Sequence, residues 1–391
     1  MKQDNKNRII VVLGMHRSGT SAITRGLQTL GVDLGSNLMP PAPGNNEKGF
    51  YEDIEINKLN NELLNALNCD WHTLSLIPQA AFDNENLTPF TLRAIELVQT
   101  RIGDRPFGMK DPRIAQLFPF WHAVFKQLNI RPSYIIALRH AMSVAQSLKK
   151  RDGFDNAKCY YLWLEHVIPT ILETVGTKRL VVDFDLLMAD PEAQLKRVAQ
   201  ALDLSFNADS ADLKEYIADF LDMKLRHSKF AIENLRNDPA VPLDVIRAHE
   251  MLSQLARDEI NIDAPEIEQN FEHLNAGLLP LSPAFEYLTR LERKAVEQDG
   301  QITHLRNVEV DWIERGRHIT NLEQIVADQT NHITNLEHIV IDQTTHITNL
   351  ELVVAERNGQ ITDLNQDMAN LLKSKSWRYT APLRWLCRLF Q

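Results

Sequence analysis

The chain has 391 residues, 44% hydrophobic and 24% charged, with a formal net charge of -10. That leaves room for one large α/β domain with further elements, and the acidic balance argues against nucleic acid as a partner, because such binders carry a basic face. Three scattered cysteines, Cys69, Cys159 and Cys387, show neither the C-x-x-C spacing of a metal site nor the even count of a disulfide framework, which fits a reducing cytoplasm.

A polar start runs into IIVVL (9–13), an apolar run that Gly14 ends too soon for a signal peptide. No stretch of about 20 apolar residues is present, so no membrane span is expected. Up to roughly Asp185, short β-rich runs alternate with longer helical ones. Strands are expected at Arg8–Leu13, Phe107–Met109, Tyr134–Leu138 and Leu180–Phe184, with helices near 20–30, 54–67, 114–128, 141–150, 158–174 and 191–202. Apolar strands separated by helices imply a buried parallel sheet covered on both faces, a three-layer P-loop-like α/β fold. Beyond Asp203 the pattern is helical, with breaks at Pro239, Pro265 and Pro283. The reading divides the chain into an α/β domain (1–235), a helical extension (236–299), a coiled coil (300–373) and a basic aromatic tail (374–391).

The coiled-coil region repeats itself. HITNLEQIVADQTN (318–331), HITNLEHIVIDQTT (332–345) and HITNLELVVAERNG (346–359) follow one another, and QITDLNQDMANLLK (360–373) is a decayed copy. Each copy is two heptads. With Ile319 at position a, the a seam runs Ile319, Val326, Ile333, Val340, Ile347, Val354, Ile361 and Met368, while d alternates leucine (Leu322, Leu336, Leu350) with Gln329, Gln343 and Arg357. β-branched a with leucine d points to a parallel homodimer through residues 319–371, and glutamine in alternate d layers keeps a trimer open. His318, His332 and His346 fall at g and Glu323, Glu337 and Glu351 at e, a solvated polar flank with a protonation-sensitive pairing as the sharper alternative. An earlier QITHL (301–305) is offset by an insertion of three, so a bend or register change is expected near Glu309–Arg317. The tail from Lys373 carries Lys373, Lys375, Arg378, Arg384 and Arg388 without an acid, interleaved with Trp377, Tyr379, Trp385 and Phe390. Such a segment suits an anionic membrane interface or docking on a partner.

The chemistry gathers in two places. After the first strand, Gly14, Met15, His16, Arg17, Ser18, Gly19, Thr20 and Ser21 form a small-residue loop that opens a helix. Its spacing fits the phosphate-binding pattern, but Thr20 stands where a nucleotide triphosphatase has lysine, and the cation has moved to Arg17. Loop N–H groups, hydroxyls and the guanidinium suit a phosphate docked at a helix N-terminus. After the third strand come Arg139 and, eight residues on, Ser147, at the carboxyl edge where α/β sheets bind ligands. Two phosphate sites suggest a nucleotide phosphorylated at both ends of its ribose.

On these residues the chain resembles the sulfotransferase family. Its 5′-phosphosulfate loop, [KR]-S-G-T-[ST], is matched by Arg17, Ser18, Gly19, Thr20 and Ser21, and its arginine and serine 3′-phosphate pair by Arg139 and Ser147. The segment VVDFDLLMADPEAQLKRVAQALDL (181–204) resembles the family's fourth strand and helix, with Phe184 and Asp185 for the usual Tyr and Glu; the resemblance spans about residues 8 to 230. It implies transfer of a sulfuryl group from 3′-phosphoadenosine 5′-phosphosulfate to a hydroxyl or amine, with no metal. Arg17 and Lys110, in FGMKDPR, are the candidate cations for the leaving phosphate, and Asp111 and Arg113 either orient Lys110 or cap a helix. The resemblance implies a catalytic glutamate within NNEKGFYED (45–53), with Glu52 ahead of Glu47. His16 is either a base, a substrate contact or a satisfied loop donor. Trp71, His72, Trp121, His122 and Trp163 lack ligand spacing and are assigned to core packing. SWRYTAPLR (376–384) resembles terminal segments of bacterial surface-glycan assembly proteins, which implies a saccharide or glycolipid acceptor and a place at the inner membrane face. Two alternatives stand beside this reading: a P-loop kinase, which Thr20 argues against, and a non-catalytic scaffold that binds adenosine 3′,5′-bisphosphate.

Overall fold

The computed structural model describes residues 7–43, 45–74, 76–221 and 230–389. Phe390 and Gln391 of the tail, and the side chain of Arg388, lie outside the described residues. Two units are distinct, Met1–Ala295 and Val296–Gln391.

In the first unit, β1 (Ile9–Leu13), β2 (Phe107–Lys110), β3 (Ser133–Leu138) and β4 (Arg179–Asp183) form one parallel sheet in the order β2-β1-β3-β4. Alternate residues of β1 enter opposite layers. Ile9, Val11 and Leu13 pack with the helices α2 (Ile54–Ala66), α3 (Thr88–Arg101) and α4 (Phe118–Gln127), whereas Ile10 and Val12 pack with α1 (Thr20–Gln28) and residues 180–216. Both faces are covered, which is why the strands read as unbroken apolar runs. The expected parallel α/β sheet flanked by helices is borne out, with Lys110 added to β2 and β4 ending one residue early. Asp183 ends β4 because its carboxylate accepts from the Leu186 backbone N–H at 2.9 Å and caps the next helix.

Along the rest of the unit come α5 (Ala141–Asp152), α6 (Asn156–Leu172), α7 (Phe184–Ala189), α8 (Pro191–Ala201), α9 (Ala211–Glu215), α10 (Ile232–Asn237), α11 (Leu243–Ala256) and α12 (Pro265–Leu278). Leu235, Val245, Leu252, Phe271 and Leu274 share one core with α5 and α6, so the helices beyond residue 231 complete the layer that carries Arg139 and Ser147. After β1 the chain crosses to β2 on one side, then to β3 on the other. The loops following β1 and β3 therefore meet at the point where strand order reverses, the place where open α/β sheets bind ligands.

Helix α13 runs Ser282–Lys373, 92 residues, without interruption through Glu309–Arg317, followed by α14 (Lys375–Tyr379) and α15 (Ala381–Leu389). Its seam is open to solvent, with Ile319 56% and Leu322 45% exposed. No described helix is long and apolar enough to cross a membrane.

Candidate active site

The loop after β1 is shaped by backbone that side chains resist. Gly14 has φ 143°, and a Cβ there would lie 2.9 Å from the Ala137 carbonyl of the neighbouring strand. Gly19 has φ 79°, and its Cβ would lie 2.2 Å from the Phe184 ring. Between them Arg17 holds φ 70°, a left-handed conformation costly for a residue with a side chain and typical of ligand loops. Gly19 precedes α1 with no side-chain cap, so the first N–H groups of that helix face the loop. Ser18 is 1% exposed, and its hydroxyl has no hydrogen-bond partner among the described residues. A cradle of this kind, with an orphaned hydroxyl and two positions closed to a Cβ, fits a phosphate group.

The second motif reaches into the first. Arg17 Nε donates to Ser147 Oγ at 2.7 Å, and its Nη1 donates to the Asn45 carbonyl and Oδ1 at 3.0 and 3.1 Å. Arg139 Nη1 donates to the Arg17 carbonyl at 2.9 Å, while its guanidinium lies 5.0 Å above the Phe184 ring that packs on Gly19. Burial, then the nearby Arg151 and Arg139, push the Arg17 guanidinium down to about 10, with Asp152 opposing. It stays charged at neutral pH. A cation held among other cations is a standing attraction for an anion.

Lys110, the last residue of β2, is 4% exposed, and Glu52 is 5% exposed. Lys110 Nζ donates to Glu52 Oε1 at 2.6 Å, to the Phe50 carbonyl at 2.9 Å and to Ser21 Oγ at 3.4 Å. Asn57 holds Glu52 Oε2 at 2.7 Å, and Arg113 lies 3.8 Å from that oxygen. Of the two expected roles Asp111 takes the capping one, accepting from the Arg113 backbone N–H at 2.9 Å; its carboxylate also accepts from the Arg113 side chain at 2.9 Å, whereas Lys110 bonds to Glu52, Phe50 and Ser21 instead. Asn60 and Trp121 extend the chain, with Asn60 donating to Asp111 and accepting from the Trp121 indole.

Structure thus brings Arg17, Ser18, Gly19, Ser21, Glu52, Lys110, Arg139 and Ser147 into one site, with Gly14 and Thr20 as its frame. Glu47 is exposed and has no hydrogen bond or ion pair to this group among the described residues. Asn45 and Asn46, which sequence reasoning passed over, latch the 45–53 segment on the loop, since Asn46 Nδ2 donates to Ser21 Oγ at 3.0 Å. Their only signal was a pair of amides beside the glutamates. Assignment to the core holds for Trp121 and Trp163, and for Trp71, which is half-exposed but packs against two core clusters, whereas His72 is half-exposed and His122 exposed. Trp71 packs on His16 with ring centroids 4.3 Å apart. Burial first, then Arg113, His166, Arg151 and Lys110, hold the His16 imidazole well below its ordinary range, so the ring is neutral at neutral pH.

No family model matches the chain, and no curated protein matches it. Several sulfotransferases are among the solved structures similar to it. The sulfotransferase domain of the Synechococcus PCC 7002 olefin synthase is 18% identical, with 71% of this chain and 96% of that chain covered and a TM-score of 0.35. A sulfotransferase domain from the curacin biosynthetic pathway is 17% identical over 63% of this chain and 97% of that one, TM-score 0.37. Retinol dehydratase, solved with androsterone and the inactive cofactor PAP, is 12% identical over 70% and 80%, TM-score 0.25.

Proposed function

We propose that the chain is a sulfotransferase that moves a sulfuryl group from 3′-phosphoadenosine 5′-phosphosulfate to an acceptor hydroxyl on a cell-surface saccharide or its lipid-linked precursor. The observation that carries this reading is Arg17 bonded to Ser147, which joins the two phosphate-binding motifs at the reversal of strand order. The loop, with Ser18, Thr20 and Ser21, would hold the 5′-phosphosulfate, and Arg139 with Ser147 the 3′-phosphate. The donor supplies an activated sulfur on the bridging oxygen of a phosphate. As the acceptor oxygen bonds to that sulfur, the bond to the bridging oxygen breaks and its electron pair leaves with the phosphate, where Arg17 and Lys110 offset the charge. The acceptor's proton passes to Glu52, whose carboxylate is held in place by Lys110 and Asn57. A kinase would need the loop lysine that Thr20 replaces.

Transfer of radiolabelled sulfur to extracted cell-surface glycan tests the reading. Wild type should label the glycan, and Arg17→Ala and Glu52→Gln should lower the rate at least about 100-fold. Persistent binding of adenosine 3′,5′-bisphosphate without labelling would leave the scaffold reading in place.

The solvent-open a and d seam of α13 supports self-association of the chain through residues 319–371, and the basic aromatic tail supports contact with the inner face of an anionic membrane. In the tail Arg384 stacks 3.5 Å from the Trp377 ring, and Leu383 and Trp385 are exposed on α15.

A further inference from the structure

Arg17 carries five side-chain N–H donors, and the protein takes three of them. Nε donates to Ser147 Oγ at 2.7 Å, and the Nη1 hydrogens go to the Asn45 carbonyl and Oδ1 at 3.0 and 3.1 Å. Nη2 has no protein partner among the described residues and is not enclosed. The guanidinium is a planar fork, so bonds at Nε and Nη1 fix its plane and make Nη2 the part offered to an anion. A guanidinium only donates. The Asn45 side chain must therefore turn its oxygen, not its nitrogen, to Arg17.

Ser21 is committed in the same way. Its one hydroxyl proton goes to the Phe50 carbonyl at 3.0 Å, so the oxygen's lone pairs receive Asn46 Nδ2 at 3.0 Å and Lys110 Nζ at 3.4 Å. Asn46 thus works as a donor where its neighbour Asn45 works as an acceptor, and both are half-buried. At the other end of the segment the backbone is fastened. The Glu52 carbonyl accepts from the Met39 N–H at 2.8 Å, and the Ile54 N–H donates to the Asn37 carbonyl at 2.9 Å. Lys110 bonds to both Phe50 and Glu52. An unbroken line of covalent and hydrogen bonds therefore runs through Arg17, Asn45, Asn46, Ser21, Lys110 and Glu52, from the donor cation to the base.

We propose that Asn45 and Asn46 are positioning residues, and that residues 45–53 form a strap through which occupancy of the phosphate loop orders Glu52. Asn45 fixes the Arg17 guanidinium with Nη2 free for the donor, and Asn46 fixes the Ser21 hydroxyl that holds Phe50 beside Lys110. An anion bound at Nη2 restrains Arg17 and, through Nη1, the strap, so the base is best ordered when the donor is in place. This rests on the sulfuryl-transfer reading and adds to it a coupling between donor and base.

Hydrogen–deuterium exchange on the full chain, with and without saturating adenosine 3′,5′-bisphosphate, tests the coupling. In wild type the nucleotide should slow exchange about tenfold in peptides covering 14–21 and in those covering 45–53 alike. Asn45→Ala and Asn46→Ala should keep the slowing in 14–21 and lose most of it in 45–53. The chemistry of each amide gives a second contrast. Asn45→Asp retains an oxygen for Arg17 and should retain the coupling, whereas Asn46→Asp has no N–H for Ser21 and should lose it. In the labelling of extracted glycan, Asn46→Ala should lower kcat about 10-fold or more while its affinity for the bisphosphate stays within about threefold of wild type. Slowing of 45–53 that survives in both alanine variants, slowing confined to 14–21 in wild type, equal behaviour of the two aspartate variants, or equal losses of kcat and nucleotide affinity would each overturn the assignment. Exchange in wild type that the nucleotide leaves unchanged in both peptides would remove the sulfuryl-transfer reading itself.

Discussion

Arg17 and Ser147, 130 residues apart in the chain, share a hydrogen bond of 2.7 Å from the guanidinium Nε to the hydroxyl. The bond ties the loop after β1 to the helix after β3, and it makes the two nucleotide motifs a single unit. Removing the charge should therefore affect the whole nucleotide. Arg17→Ala is expected to weaken adenosine 3′,5′-bisphosphate binding by about 10-fold to 100-fold, the value of about 1.5–3 kcal/mol for a hydrogen bond to a charged group. Ser147→Ala, which removes a neutral hydroxyl, should cost about 10-fold or less. Titration calorimetry separates the two.

The Lys110 and Glu52 pair makes a different prediction. Both side chains are buried, so removing one leaves an uncompensated charge. Lys110→Met or Glu52→Leu alone should destabilise the domain by about 3–5 kcal/mol, and the double variant should recover much of that loss while remaining inactive. Urea unfolding followed by circular dichroism, with turnover measured in parallel, gives the interaction energy.

Gly19→Ala meets two obstacles, the Phe184 ring 2.2 Å from the new Cβ and a φ of 79°. The variant should lose nucleotide binding and stability. Adding Phe184→Ala relieves the steric part only, so the double variant should unfold earlier than Phe184→Ala alone by about 1–2 kcal/mol, the cost of left-handed backbone. Equal stability of those two proteins would mean that the backbone has shifted.

Burial holds several histidines neutral. His249 is pushed down to about 3, with His140 and Arg257 adding to the effect, and His166 is pushed down to about 4. In the unfolded chain each binds a proton near pH 6.5, so between that pH and the folded value the unfolded state holds the extra proton. Stability from these groups is therefore whole above about pH 6.5 and falls as the solution is acidified towards pH 4, by up to about 1.4 kcal/mol per pH unit for each histidine. Urea midpoints from pH 7.5 to 4.5 should fall, and His249→Phe should flatten the slope.

For α13, the open seam predicts association. Sedimentation equilibrium of the full chain should return a dimer or trimer of the 44.8 kDa protein. Polar residues at two a layers, as in Ile333→Lys with Ile347→Lys, should shift the mass towards monomer without reducing nucleotide affinity.

Much of the architecture was legible because its signals are local. The runs at 9–13 and 134–138 are apolar on both faces, and Gly14 and Gly19 mark the turn between strand and helix. The heptads of 318–373 state their own period. Helix α3 was missed because its buried stripe is narrow, only Ala94, Leu97 and Val98, so its periodicity is weak. The last residue of β4 was misplaced because Phe184, a good strand residue, is overruled by the Asp183 cap.

By itself the sequence determined the parallel sheet, the cationic loop, the pairing of an arginine with a serine eight residues on, and the long amphipathic repeat. Only the tertiary structure decided that Glu52 rather than Glu47 meets Lys110, that Arg17 reaches Ser147, and that Trp71 packs on His16. The reason is physical. Strand, turn and helix preferences arise within a few residues, whereas side chains 58 or 130 positions apart meet only where packing of both sheet faces brings the strand ends together.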